Sequence, residues 1–290
     1  MKPAPFEYHA PDTVSDAVAL LREFGDEAKV LAGGQSLVPI MALRLAQFDH
    51  VVDLNRVPEL QGIERQNGTV RVGAMTRQAV IEGDATMADA VPLMARATPF
   101  IGHFQIRNRG TLGGSLAHAD PAAEYPAVAL ALDAEFEVAN ASGSRTVAAS
   151  EFFVSTFITS LEVDDVLSAI HFPVWNGRCG FAVEEVARRF GDFALTGAAC
   201  AVELDGDDRV VRAGIGMFAM GSTPLRARQA EAALAGSSVA DVDLEEIGRM
   251  AADETEPPDD IHASAAYRRS VGAVVVARAL GTAIAEARHA

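Results

Sequence analysis

Two glycine pairs set the terms for the rest of the chain. One lies in Ala32-Gly33-Gly34-Gln35-Ser36-Leu37, the other in Thr111-Leu112-Gly113-Gly114-Ser115-Leu116-Ala117-His118-Ala119-Asp120-Pro121. Paired glycines adopt positive φ and let backbone approach a ligand closely, and consecutive N–H groups in such a turn form a concave anion site. A single pair is a weak signal, because glycine pairs also make ordinary turns. Two together, each with a hydroxyl residue close by, can clasp a diphosphate from both sides and read as a dinucleotide clamp.

The flanks agree with that reading. Lys29-Val30-Leu31 reads as a strand running into the first pair, and Pro39 sits early in the following apolar run, where a helix tolerates it. Loop N–H groups and a helix N-terminus then point the same way, a geometry that favours an anion. Arg107 and Arg109 precede the second pair, placed either to neutralise a diphosphate or to pair with some of the chain's many carboxylates. Asp120 likewise has two readings: an acceptor for a ribose or ribityl hydroxyl, or the cap of a helix starting at Ala122.

Other chemistries lack their signatures. No G-x-G-x-x-G follows a strand, and no G-x-x-x-x-G-K-[ST] or G-x-S-x-G occurs. The seven histidines show no metal-ligand spacing, and no metal is expected. Cys179 and Cys200 are the only cysteines, too few for an iron–sulfur cluster or a zinc ribbon. Forty acidic residues against twenty-four basic ones give a formal charge of −16, which disfavours nucleic acid and anionic membranes as partners. The first residues lack a signal peptide's apolar core, and the apolar stretch Val271 to Ile284 is broken by Gly272, Arg278 and Gly281. A cytoplasmic protein without a membrane span is expected.

At 290 residues the chain is long enough for two domains. Strands are expected at Phe6–His9, 29–31, 51–54, 60–63, 70–73, 135–139, near 148 and at 166–172, with Asn67-Gly68 as a hairpin turn. Helices are expected at 15–24, after Ser36, and at 76–82, 89–97 and 122–132. Beyond a boundary near Pro173 to Gly177 the order changes: strands at 181–187, 198–204 and 210–218, then helices at 225–234, 244–252 and 263–286. Strands first and helices after imply an α+β unit with a three-stranded antiparallel sheet and a helical layer.

Several motifs, taken in order, resemble one family. They are Lys29 to Pro39, Val70-Arg71-Val72-Gly73-Ala74-Met75-Thr76, Ile106 to Ser115, Asp120 to Pro126, Asp165 to Ile170, Arg188 to Ala194, Ser222 to Arg226 and Ala266 to Arg269. Together they are similar to the FAD-binding medium subunit of molybdenum hydroxylases, the group that includes carbon monoxide dehydrogenase and xanthine dehydrogenase. The resemblance implies an α+β protein: a two-subdomain FAD-binding fold of the PCMH, vanillyl-alcohol oxidase-like type over 1–175 (subdomains of about 1–55 and 56–175), then a C-terminal domain over 176–290. By the same resemblance, Ala32, Gly33, Gly34, Gln35, Ser36 and Leu37 hold the diphosphate together with Thr111, Gly113, Gly114 and Ser115. Asp120 takes the ribityl side, Leu167 and Phe193 lie near the isoalloxazine ring, and Thr76 borders the flavin.

The function implied is electron relay. A substrate is hydroxylated at molybdenum on a large subunit, electrons pass through [2Fe–2S] clusters on a small subunit, and FAD on this chain delivers them to an external acceptor. No catalytic residue is required here, and a dimer of heterotrimers is the expected assembly. Gln35, where some relatives have histidine, departs from the family's usual residues, as do Glu124 and Leu195. In covalent flavoproteins of the vanillyl-alcohol oxidase type a histidine in the corresponding loop can hold the ring, and Gln35 cannot make that bond, so the FAD is expected to be non-covalent. Two other functions fit the clamp. A free-standing FAD-dependent oxidase or reductase would need a proton-handling residue such as His118, Tyr125 or Tyr267, and a non-enzymatic assembly factor would keep the fold without FAD.

Overall fold

The computed structural model describes residues 2–290. The chain opens with β1 (Glu7–His9), α1 (Val14–Phe24), β2 (Ala28–Leu31), α2 (Leu37–Ala42) and β3 (His50–Asp53). The three strands form a parallel sheet in the order β1-β3-β2. Parallel strands need crossover connections, which the two helices supply. The Thr13 hydroxyl caps α1 by accepting from the Asp16 N–H at 3.1 Å, and Gly25, at φ 54°, ends it. Ala17, Val18 and Leu21 on the inner face of α1 share one small core with Val52, Leu54, Val57 and Leu60.

A second unit follows. It comprises β4 (Ile63–Gln66), β5 (Thr69–Gly73), α3 (Gln78–Gly83), α4 (Ala85–Ala90), α5 (Pro92–Ala97), α6 (Phe104–Arg107), α7 (Leu112–His118) and α8 (Glu124–Ala131). It continues with β6 (Glu135–Asn140), β7 (Gly143–Ala148), α9 (Ala149–Phe152), β8 (Phe153–Ser155), β9 (Ile158–Thr159) and β10 (Val166–Pro173). Five of these strands form an antiparallel sheet in the order β4-β5-β10-β6-β7, so the last strand to be made is the central one. Asn67 and Gly68 turn β4 into β5 with φ of 36° and 89°, the two positive values that a type I′ hairpin requires.

Three expectations in this region are corrected. The strand expected at 60–63 lies at 63–66, because Pro58 starts a 3₁₀ turn through Leu60, whose side chain is fully buried. The helix expected from Thr76 starts at Gln78, since the Thr76 hydroxyl holds the Gly62 N–H and carbonyl, both at 3.1 Å. The helix expected at 89–97 is two helices, α4 and α5, separated at Val91 (φ −136°) by the proline that opens the second.

The last unit has β11 (Arg178–Val186), β12 (Thr196–Leu204), β13 (Val210–Phe218), β14 (Leu225–Arg226), α10 (Arg228–Leu234), α11 (Leu244–Asp253) and α12 (Ala265–His289). Three long antiparallel strands make the sheet, and the two-residue β14 adds an edge where a helix was expected to begin. Extended backbone there lets Arg226 reach the Leu130 carbonyl (2.9 Å), Glu231 (2.7 Å) and Asp133, and α10 starts after it. In the turn between β12 and β13 the Asp205 carboxylate accepts from the N–H groups of Asp207 and Arg209, each at 2.9 Å. By length and composition α12 is apolar enough to cross a membrane, but it packs along β11, β12 and α11 in the core of this unit.

Helix α8 joins the second and third units. Every one of its residues is buried, because one side meets α5 and α7 and the other meets β12 and β13. The strand side is made of glycine. A Cβ on Gly214 or Gly216 would stand 2.1 Å from the carbonyl oxygen of Ala131 or Ala127, respectively.

Candidate functional site

The two glycine segments, far apart in sequence, meet in space. Strand β2 ends at Leu31 and hands over to the first segment, in which Gly34 sits at φ 76° and the Gln35 amide donates back to the Gly33 carbonyl at 3.2 Å. Ser36 occupies the cap position of α2 without a side-chain cap bond, and Leu37 is the helix's first residue. Gly33 is tucked under the other segment: a Cβ there would lie 2.4 Å from the Arg109 carbonyl oxygen and 2.8 Å from Gly110 Cα. Gly114 returns the approach, its Cβ position being 3.2 Å from Ala32 Cβ. Glycine at both positions is what lets the two segments pack this closely, and it leaves, among the described residues, the N–H groups of Gly33 to Ser36 as the unbonded main-chain donors that fit an anionic group.

The second segment is built differently from an open turn. Gly113 and Gly114 lie in the first turn of α7, where the Thr111 hydroxyl caps the helix by accepting from the Gly114 N–H at 3.1 Å. Gly113 is committed to packing: its N–H donates to the Ala74 carbonyl at 2.7 Å, and a Cβ would be 2.5 Å from Ala74 Cβ. Ser115 stands half-buried on the following turn. Thr76 is tied to this segment through its main chain, its carbonyl accepting from the Leu112 N–H at 3.1 Å. Leu167 is buried in β10, and its neighbour Ser168 receives the Ala74 N–H at 2.9 Å.

Helix α7 ends at Ala119, held left-handed at φ 52°. Beyond it the Asp120 carboxylate accepts from the Ala122 N–H at 2.9 Å, a capping turn for the residues leading into α8, which begins at Glu124 rather than Ala122. His118 stacks obliquely near Phe157, ring centroids 5.0 Å apart, and burial first of all depresses its pKa, with Asp120 opposing and Lys29 adding to the fall. Phe193 stands on a different element, the β11–β12 connection, and is exposed. That loop is anchored by Gly191 (φ 84°), which lies against the His103 ring and the Gly102 carbonyl.

Of the two arginines before the second segment, Arg107 is structural. Its guanidinium grips Glu82 at 2.7 and 3.1 Å and donates to the carbonyls of Ile101 and Gly102, both at 3.2 Å, so it is spent on carboxylate and backbone. Tyr125 is also committed, fully buried with its hydroxyl 2.9 Å from that of Thr98. The reading from sequence missed Asn55 and Arg77, which between them touch both glycine segments, and it noted Glu124 only as a departure from the family's usual residue. The Glu124 carboxyl is pushed up to about 8, first by burial, against its own backbone N–H, and then by Glu185 and Asp120. No local pattern marks these roles, because they arise only when elements distant in sequence meet.

A parallel three-strand unit and an antiparallel five-strand unit, joined at a glycine-lined clasp, define a two-subdomain FAD-binding fold of the PCMH type. Residues 4–175 match the family described as the FAD binding domain in molybdopterin dehydrogenase, and residues 181–283 match the CO dehydrogenase flavoprotein C-terminal domain. The chain is 40% identical to the 6-hydroxypseudooxynicotine dehydrogenase complex subunit alpha of Paenarthrobacter nicotinovorans, covering 99% of this chain and 97% of that one. It is 38% identical to the carbon monoxide dehydrogenase medium chain of Hydrogenophaga pseudoflava, over 98% of each. Among solved structures it superposes with a TM-score of 0.96 on reconstituted CO dehydrogenase from Oligotropha carboxidovorans, at 36% identity over 99% of this chain and 100% of that one. The chain belongs to the FAD-binding medium-subunit family of the molybdenum hydroxylases, and is an oxidoreductase subunit of a multi-subunit assembly.

Proposed function

We propose that this chain holds FAD non-covalently between Ala32 to Leu37 and Thr111 to Ser115 and relays electrons from a partner's [2Fe–2S] clusters to an external acceptor. The observation that carries this reading is the close packing of the two glycine segments, Gly33 against the Arg109 carbonyl and Gly114 against Ala32. N–H groups of the first segment, Gly33 to Ser36, serve a diphosphate there as donors, while the second segment, whose N–H groups from Leu112 to Ser115 are bonded within the protein, brings the Ser115 hydroxyl to it. Asp120 serves the ribityl side, and Leu167 and Phe193 serve the ring from the sheet and from the exposed loop. Thr76 acts from behind, its hydroxyl holding Gly62 while its carbonyl positions α7.

The bound flavin supplies the exchange between one-electron donors and a two-electron acceptor. The chain's own task is to bind, orient and tune it. Gln35 offers no ring nitrogen for a covalent link, in keeping with non-covalent binding. The two cysteines, Cys179 and Cys200, are both buried, and burial raises both thiols, so clusters and molybdopterin are assigned to a small and a large partner subunit. We place the FAD-binding domain at 1–175 and the C-terminal domain at 176–290, and we take the holoenzyme to be a cytoplasmic dimer of heterotrimers. The test is the visible spectrum of the purified chain, with chromatography of whatever heat releases. FAD that bleaches with dithionite, on a chain that hydroxylates nothing alone, is the expected result; a colourless chain that takes up no added FAD overturns it.

A further inference from the structure

One side chain bridges the two glycine segments. Arg77 sits in extended backbone between β5 and α3, makes an isolated β-bridge with Thr111, and is half-buried. Its Nη1 donates to the Arg109 carbonyl, the oxygen under which Gly33 is tucked. Its Nη2 donates to Asn55 Oδ1. The Asn55 amide in turn donates from Nδ2 to the Ala32 carbonyl at 3.0 Å. One planar guanidinium thus reaches the second segment directly and the first through a single intervening amide.

The orientation of Asn55 is fixed from the far side. Asp53 Oδ1 accepts from the Asn55 N–H at 2.8 Å and also from its side-chain amide, while Asp53 Oδ2 accepts from the Tyr8 hydroxyl at 2.6 Å. With Nδ2 turned to Ala32 and Asp53, only Oδ1 is left to face Arg77, and an oxygen there calls for a donor. The brace therefore runs Tyr8–Asp53–Asn55–Arg77–Arg109, from β1 and β3 across to the loop before α7. Lysine cannot replace Arg77 in it, because two donors must leave one flat group in divergent directions.

Charge gives this brace a second property. Burial lowers the Arg77 pKa first, and the Arg109 guanidinium lowers it further, with Asp53 opposing. Two like charges thus stand beside the convergent backbone, an arrangement that an anion relieves.

We propose that Arg77 is a positioning residue: bonded to Asn55 at one end and to the Arg109 carbonyl at the other, it holds the two glycine segments at the spacing that accepts a dinucleotide diphosphate. This rests on the FAD reading above and adds a residue to it. The test measures FAD affinity of the full chain by flavin fluorescence for wild type, R77M, R77K, N55A and R77M/N55A, with melting of each FAD-free protein alongside. R77M is expected to weaken binding by about tenfold or more, R77K to be as weak as R77M, and the double variant to be no worse than the weaker single one, since the residues act as one unit. FAD-free melting temperatures close to wild type are expected. Lysine at wild-type affinity would show that charge alone suffices and overturn the brace, as would R77M at wild-type affinity. If R77M does not fold, N55A decides, because it keeps the arginine and removes its anchor; wild-type affinity there overturns the proposal. A wild-type chain that binds no FAD overturns the FAD reading itself, an outcome distinct from a wild type that binds and variants that bind equally well.

Discussion

Gly33 lies directly beneath the carbonyl of Arg109, with 2.4 Å between its Cβ position and that oxygen. No side chain fits there without moving backbone on one side or the other. G33A is therefore expected to push the segments apart, lowering FAD content well below one per chain and costing about 1–3 kcal/mol through overpacking. Gly83 is the matched control, since a Cβ there meets nothing within 4 Å and its φ is ordinary for an L residue. G83A should keep FAD content and shift stability by less than about 0.5 kcal/mol, or raise it slightly. Flavin released per chain and urea midpoints for the two variants check both halves.

Phe193 is 69% exposed on a loop that Gly191 anchors against His103. A side chain this exposed contributes little to folding, so F193A should leave the melting transition within about 0.5 kcal/mol of wild type. If the ring serves the flavin, its loss changes the shape and position of the flavin absorption bands or the fluorescence yield. Spectra of the loaded variant against wild type decide the matter: an unchanged flavin spectrum removes Phe193 from the site.

Much of this architecture is legible in the residues themselves. Periodicity and turn chemistry locate the parallel strands, the Asn67-Gly68 hairpin and the long strands β11 to β13, because each is a local signal. The glycine pairs stand out as a couple, but their unlike roles do not: Gly33 and Gly114 make room, while Gly113 packs on Ala74. Arg107 offers two readings in sequence, and the buried pairing with Glu82 selects one. Asn55 and Arg77 are invisible there, since a hydrogen bond between two connections 22 residues apart leaves no trace in spacing. Leu225–Arg226 reads as helix because helix propensity surrounds it, yet edge pairing with Gly216 and Met217 and the bonds of Arg226 outweigh that preference.

The seat of α8 on β13 gives a prediction about the joint between the units. Gly216 pairs with Arg226 and faces the Ala127 carbonyl, where a Cβ would intrude to 2.1 Å. The obstruction is backbone on both sides and cannot swing away. G216A should destabilise by about 3 kcal/mol, at the upper end for overpacking, with the loss seen as a lower urea midpoint. G206A, in an open turn with nothing within 4 Å, should not do so. Equal midpoints for G216A and wild type would mean that the helix is not seated on the strand in solution.

The acidity of Glu124 and Glu185 sets a pH dependence whose sign is opposite to that of an ion-paired acid. Glu124 opens α8 and Glu185 lies on β11, and burial pushes the two carboxyls up to about 8 and about 7. In the unfolded chain both fall to the ordinary carboxylate value of about 4.3. Between these limits the folded state binds more protons than the unfolded one, so stability declines as pH rises. The contribution is fully present below about pH 4 and is lost as pH climbs through 7 to 8. E124Q keeps the shape of the protonated acid and cannot ionise. It should match wild type near pH 4 and exceed it near pH 8.5 by about 1 kcal/mol or more, or roughly 2–4 °C in melting temperature. E185Q should show the same sign with a smaller size, because that residue is less deeply buried. Because the Glu185 charge also raises Glu124, the two gains should combine to less than their sum. Melting curves of E124Q, E185Q, the double variant and wild type from about pH 4 to 9 test this, and a wild-type curve that gains stability with pH would refute the buried protonated pair.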